Sequence, residues 1–328
     1  MVGIAPTFVY FKEIDASDWK EEQIDEKVNG IHLIPFDLEK GPITRIHLFN
    51  RLENDNILLF NTHHIVADGW SFWIILHELE QLYLERTKGK KASLAPVHYT
   101  YADFVHWQSE MLKGSEGEKH WAYWRKKLSG SLPVPNLPLD YPRPEKETFR
   151  GLTLFFEIKN KLAEKIKSTI KEEKITLYTF LLTTFKVMLW QYCKQEDISV
   201  CSPFAARTKP EFENIVGFFT NLTAIRSNLS GNPSFKDLLA KVQNNITEAM
   251  KHHDYPFPTL IEKLGVEHKS IHLPNFPVRF ILQKPQVKTG SDFLKGKKSI
   301  VKILWFFLAW FLLCYSAIQQ YSGVMQAR

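Results

Sequence analysis

Apolar and polar positions change their period several times along the chain, and those changes mark its elements. Residues 8–14 alternate weakly. ITRIHLF (43–49) and NILLFNTHH (56–64), separated by a polar turn at Glu53–Asn56, have the composition and alternation of two paired strands. After Gly69 the period lengthens: Trp73, Leu76, Leu79, Leu82 and Tyr83 recur at helical spacing, Asp68 or Ser71 can cap the start, and Gly89 closes the helix. A second helical stretch, rich in tryptophan, runs from Tyr101 to Leu128 with a break near Gly114. The pattern then stops. Pro133, Pro135, Pro138, Pro142 and Pro144 exclude both a helix and a central strand from 132–151, which reads as an ordered crossing between two lobes.

Beyond the crossing, Leu162, Ile166 and Ile170 mark one helix and TLYTFLLTTFKVMLWQY (176–192) a largely buried one. DISVCSPFA (197–205), TAIRSNL (223–229) and VRFILQ (278–283) read as strands, and Phe235, Leu238, Leu239, Val242, Ile246 and Met250 trace a further amphipathic helix. The tail differs. Residues 286–302 are rich in Lys and Gly, and ILWFFLAWFLLCYSAI (303–318) is almost continuously apolar. That run is shorter than the roughly 20 residues a bilayer core requires. A buried helix, a membrane anchor and sequence outside the fold all remain open for it.

Composition narrows the function classes. The 328 residues are 44% hydrophobic and 24% charged, which fits a globular protein and excludes a disordered or collagen-like one. That length is enough for two lobes, each with its own core. The net charge of +6 comes with no basic-plus-aromatic signature, so nucleic acid is not an expected partner. Segments such as EKIKSTIKEEK (164–174) read as solvated helix faces. Cys193, Cys201 and Cys314 have neither an even number nor CxxC spacing, which argues against a disulfide framework or a zinc site and for a reducing cytoplasm. The N-terminus lacks the basic and apolar regions of a signal peptide.

The chemistry gathers at HHIVADGWS (63–71), where a strand runs into a short loop and then a helix. Strand alternation sends His63 and His64 to opposite faces, so one of them faces any given cleft. An imidazole titrating near neutrality can take a proton from an attacking amine or hydroxyl, or orient it. Asp68 can hold the loop through an ion pair, and Gly69 lets its backbone N–H approach a developing oxyanion. A purely structural reading also exists, with both histidines bonded to backbone carbonyls and Asp68 capping the helix. A metal site is disfavoured because the histidines diverge and no third ligand lies close in sequence.

HHIVADGWS resembles the active-site motif of the nonribosomal peptide synthetase condensation domains, within the chloramphenicol acetyltransferase-like acyltransferases. Further matches follow in the family's order: YADFVHW (101–107), IVGFFTNLTAIR (215–226), HHDYPF (252–257) and LPNFPVRFILQ (273–283). The resemblance covers residues 8 to 285. It implies an α/β fold of two chloramphenicol acetyltransferase-like lobes in a V, with a tunnel between them. The expected division is 1–131 for the N-terminal lobe, 132–151 for the crossing, 152–285 for the C-terminal lobe and 286–328 for the tail. Peptidyl or acyl carrier proteins and adjoining synthetase modules are the implied partners. They deliver substrates on phosphopantetheine arms, with no cofactor bound directly. By this resemblance His64 is catalytic, as base or as orienter of the amine, with Gly69 supplying a backbone N–H. His63 and Asp68 are structural there, with Arg226 as candidate partner of Asp68, and Asn221 and Trp70 line the tunnel. Tyr101, Asp103 and Trp107 are read as packing and capping residues.

The sequence departs from the family pattern in three places. The opening Arg-His-x-x-Leu-Arg-Thr-x-Phe motif is not found, EHKSIH (267–272) stands where an Arg-Asp-x-Ser-Arg motif is usual, and the likeness ends after Gln283. On that basis the N-terminal lobe is expected to be incomplete and the chain a fragment. The competing functions are an ester-forming acyltransferase with the same motif, and an inactive remnant or interaction module associated with a membrane through its tail.

Overall fold

The computed structural model describes residues 9–52, 55–130, 132, 134–142, 152, 154–265, 278–283 and 301–308, the last of these by backbone alone. The N-terminal part contains β1 (Tyr10–Asp15), α1 (Glu21–His32), β2 (Thr44–Leu52), β3 (Asp55–His63) and α2 (Gly69–Lys88). Helices α3 (Tyr101–Lys113) and α4 (Ser115–Lys127) follow, then α5 (Asn160–Glu172), α6 (Leu177–Cys193), β4 (Asp197–Ala205), β5 (Thr220–Asn228), α7 (Phe235–Met250), α8 (Phe257–Lys263) and β6 (Val301–Leu308). One sheet has the order β1-β2-β3-β6, with β2 and β3 antiparallel and the outer strands parallel to their neighbours. The other pairs β4 with β5.

Each sheet has its own core. Ile24, Val28 and Ile31 of α1 recur at helical spacing and pack on Phe49, Ile57 and Leu59 of β2 and β3. Helix α1 is not among the elements the sequence pattern predicts, because its apolar stripe is only three residues long in a strongly charged stretch. The second core joins α6, α7 and α8 to β4 and β5. It also takes in Trp124 of α4 and the following Leu128. A small separate aromatic cluster has Phe104 of α3 against Phe212, Ile215 and Phe219, with Tyr101 and Trp107 packed beside it.

Local signals account for most boundaries. Asp68 caps α2 by accepting from the Ser71 N–H, and Gly89 ends the helix in the left-handed region (φ 65°). Gly114 separates α3 from α4, as its position in the pattern predicts. Two expectations change. VRFILQ makes no full strand. Val278 and Phe280 bracket Cys201 through two backbone bonds, 3.1 and 2.9 Å long, at a single bridge. The start of the apolar run at 303–318 lies in a strand, not a helix: β6 pairs with β3 along Asn56–His63. Among the described residues no helix is long and apolar enough to cross a membrane. Glu53 and Asn54 of the expected turn, the segment 267–272 and the tail beyond residue 308 lie outside the described residues.

Lys186 interrupts the apolar face of α6 and is fully buried. It donates to the Ile225 carbonyl (2.6 Å) and to Ser227 Oγ (2.8 Å). Burial, with a contribution from the charge of Lys127, brings its pKa down to about 7. An unfolded lysine holds its proton to a pH of about 10.4, so between these values the unfolded chain binds the extra proton. The destabilisation from burying the charge is therefore complete below pH 7 and relieved as pH rises toward 10. Lys186→Met, compared with wild type in urea melts from pH 7 to 10, should lack that rise, a difference on the order of a few kcal/mol. Parallel pH profiles for the two proteins would show that Lys186 is not the group responsible.

Candidate active site

The end of β3 brings the two histidines into different surroundings. His63 accepts a hydrogen bond from the Ile65 N–H at its Nδ1 (3.2 Å), and its ring sits edge-on to Phe36. Burial, reinforced by the neighbouring His64, holds the His63 pKa below the ordinary range. His64 opens a 3₁₀ turn, His64–Val66, and its Nδ1 lies 2.8 Å from the carbonyl of Ala67. A carbonyl can only accept, so Nδ1 carries the proton and the lone pair of the neutral ring is on Nε2. Phe218, from the segment between β4 and β5, meets the His64 ring edge-to-face at 5.2 Å.

Asp68 is buried and fully engaged. Its Oδ1 accepts from the Ser71 N–H and the Ser71 hydroxyl, both at 2.8 Å, and its Oδ2 from the Phe219 N–H at 3.1 Å. Its ion-pair partner is Arg207 (3.3 Å), not Arg226. Arg226 sits toward the other end of β5, where it clasps Asp197 at 2.6 Å and donates to the Ser129 carbonyl. The segment that reaches Asp68 is instead the one between β4 and β5. Arg207 follows shortly after β4, and its guanidinium donates to the carbonyls of Phe212 and Ile215, each at 2.7 Å, and to Ser71 Oγ at 2.9 Å. It also lies over the Phe219 ring at 3.8 Å. Burial pushes the Arg207 pKa down, and the Asp68 carboxylate acts against that shift.

The same segment is tied to the start of α2 and to α3. Ser71 Oγ accepts from the Gly217 N–H and lies 2.8 Å from the Gly217 carbonyl, which accepts from the Asp68 N–H. Trp70, expected along the tunnel, donates its indole N–H to the Glu213 carbonyl at 3.0 Å. The ring of Tyr101 fills the space that a Cβ on Gly217 would occupy, at 2.2 Å, so only glycine fits there. Asn221, also expected along the tunnel, has its amide committed to the turn at HHDYPF. It donates to the carbonyls of His253 (2.6 Å) and Tyr255 (2.8 Å) and accepts from the Phe257 N–H (3.0 Å). Asp103 caps α3 through Thr100, and Trp107 packs in the aromatic cluster.

Gly69, the first residue of α2, is exposed, and a Cβ built on it would meet nothing within 4 Å. The chain itself therefore does not require glycine here. Gly69→Ala should fold normally and gain up to about 1 kcal/mol from helix propensity. If an acyl group passes close to the Gly69 N–H, the same variant should lose turnover by roughly ten- to hundredfold, as small misplacements do. Unchanged turnover in Gly69→Ala would exclude that approach. Among the described residues no group of three or more His, Cys, Asp or Glu side chains is placed to hold a metal ion.

The candidate site thus comprises a histidine whose Nδ1 is bonded to the Ala67 carbonyl, the exposed first residue of α2, and a buried ion pair joining the loop to a distant segment. Sequence reasoning missed Arg207 and Phe218. Nothing in FAARTKP separates Arg207 from a solvated arginine, and Phe218 lies within a family motif that by itself assigns it no role.

This architecture has solved counterparts. The X-domain from teicoplanin biosynthesis matches with a TM-score of 0.73 at 22% identity, over 84% of this chain and 61% of that one. Holo-AB3403, a four domain nonribosomal peptide synthetase bound to AMP and glycine, matches with a TM-score of 0.72 at 22% identity, over 85% of this chain and 21% of that one. The chain thus shares the α/β fold of these structures. The condensation-domain family model matches residues 7–300, and the chain belongs to that family. Gramicidin S synthase 2 of Brevibacillus brevis is 37% identical over 282 residues, 85% of this chain and 6% of that protein. Chondramide synthase of Chondromyces crocatus is 37% identical over 261 residues, 80% of this chain and 7% of that protein. The chain spans a small part of these much longer relatives.

Proposed function

We propose that this chain joins a carrier-bound acyl thioester to a carrier-bound amine. The observation that carries the reading is the Nδ1 contact of His64 with the Ala67 carbonyl, which puts the ring's lone pair on Nε2, where an acceptor amine can meet it. The amine nitrogen attacks the thioester carbonyl carbon, and the tetrahedral oxyanion forms near the Gly69 N–H. The intermediate collapses with cleavage of the C–S bond. The phosphopantetheine sulfur leaves as a thiol, taking the proton that the amine releases, and an amide remains on the acceptor arm.

His64 orients the amine and accepts or relays that proton. An α-amine with a pKa of about 8 is already largely or partly neutral at working pH, so positioning contributes more than proton abstraction. His63 keeps a structural role. Asp68 and Arg207 hold the loop on which His64 and Gly69 sit, and Trp70 anchors the start of α2 beside it. The partners in this reading are peptidyl or acyl carrier proteins and adjoining synthetase modules, with substrates on phosphopantetheine and no cofactor held by the chain itself. In this reading residues 1–131 and 152–285 are the two lobes and 132–151 the crossing between them; the presence of two separate cores supports the division, and Trp124 of α4 packs across onto the second core. Cys193 and Cys201 are free thiols, which suits the reducing cytoplasm.

The discriminating experiment offers the protein one acyl-loaded carrier and two acceptors, a carrier-bound amine and a soluble alcohol. Amide on the acceptor carrier supports this reading. Ester from the alcohol alone would assign the chain to ester-forming acyl transfer.

A further inference from the structure

We propose that Phe218, held in place by Tyr101, is a positioning residue for the His64 imidazole. This rests on the reading of His64 as the group that meets the amine. The Ala67 carbonyl fixes the tautomer at Nδ1, but a bond at that nitrogen does not by itself set the tilt of the ring. The Phe218 ring supplies a restraint on that tilt, standing perpendicular to the imidazole at 5.2 Å. Edge-to-face contact at that distance is favourable and directional.

The Phe218 ring is itself aimed by its backbone. Tyr101 donates its hydroxyl to the Phe218 carbonyl at 2.7 Å. On one side of Phe218, the Gly217 N–H donates to Ser71 Oγ and the Gly217 carbonyl accepts from the Asp68 N–H, and the residue is backed by the Tyr101 ring. On the other side, the Phe219 N–H bonds Asp68. The backbone at 217–219 is thereby fastened to the loop that carries His64, by groups contributed from that loop, α2 and α3. Tyr101 acts on the imidazole through Phe218, at one remove from any reacting atom. This gives YADFVHW a role beyond packing.

The test reads His64 directly, by nitrogen-15 spectra of the histidine ring in the full chain, alongside kcat and KM with carrier-bound substrates. In wild type the His64 ring should appear as one tautomer, with Nδ1 protonated. Phe218→Leu should give averaged His64 ring shifts and a kcat lower by about tenfold, with KM changed less than about twofold. Phe218→Tyr, which keeps the ring edge, should restore both. Tyr101→Phe, which keeps the ring against Gly217 and deletes only the hydroxyl bond, should shift His64 in the same direction by a smaller amount. It serves as the reporter should Phe218→Leu not fold. An unchanged His64 spectrum in Phe218→Leu overturns the proposal, even if kcat falls, because Phe218 would then act on the substrate. An altered His64 spectrum in a chain that forms no amide would support the positioning role and count against the proposed reaction.

Discussion

His64→Ala is expected to lower amide formation at least tenfold while leaving the fold intact. The side chain is only partly buried, and its ring meets the Ala67 carbonyl and the Phe218 ring at the edge of the site rather than inside a core. Positioned general bases contribute about 10²–10⁴-fold. The loss should fall toward the lower end because the amine is already nucleophilic and the thioester already activated. His63→Ala should behave differently. It removes the acceptor for the Ile65 N–H and the contact with Phe36, so its effect should appear as a lower melting temperature with turnover less affected. Single-turnover rates and thermal melts of the two variants separate these roles. Equal turnover in His64→Ala and wild type would remove the histidine from the mechanism.

The second large effect is expected at the buried ion pair. Breaking such a pair from one side costs about 3–5 kcal/mol, because the remaining charge stays buried without compensation. Asp68→Asn has an added penalty. Oδ1 and Oδ2 both accept from N–H groups on opposite sides, so an amide placed there must turn its own NH2 toward a donor. Arg207→Met removes a donor from the Ile215 carbonyl, leaves the Phe212 carbonyl with the Ile215 N–H at 3.4 Å, and leaves Asp68 without its charge partner. Both variants should be destabilised by about 3–5 kcal/mol in urea melts and should lose activity with it. The double variant should cost less than the sum of the two, because the residues share one network. An Asp68→Asn protein that keeps its melting temperature but loses turnover would place the carboxylate in the chemistry instead.

Why the sequence reached the histidines but not the arginine follows from how each is specified. The His63–Ser71 loop is local: strand alternation ends, an Asp caps a helix, and a glycine begins it, all within nine residues. Its partner is not local, since Arg207 lies 139 positions from Asp68 in the chain. Arg207 follows one strand of the β4–β5 pair and Arg226 lies in the other, and only the tertiary placement of the 207–219 segment selects between them. The start of the apolar tail was ambiguous for another reason. A continuous apolar run has no period, so strand and helix read alike until a partner edge is seen, and here β3 offers one. Asn221 shows a further limit. Its place in a motif near the tunnel suggests a lining role, but both ends of its amide are taken by the HHDYPF turn, a contact set by tertiary structure.

The central claim is that His64 and its loop join two carrier-bound substrates through an amide. Its most direct test is intact-protein mass spectrometry of a single-turnover mixture containing this chain, an acyl-loaded donor carrier and an aminoacyl-loaded acceptor carrier. The account predicts that acyl mass moves from donor to acceptor with wild type, and that the transfer slows at least tenfold with His64→Ala. No transfer by a cooperatively folded wild-type chain, or transfer at the same rate by His64→Ala, would contradict it.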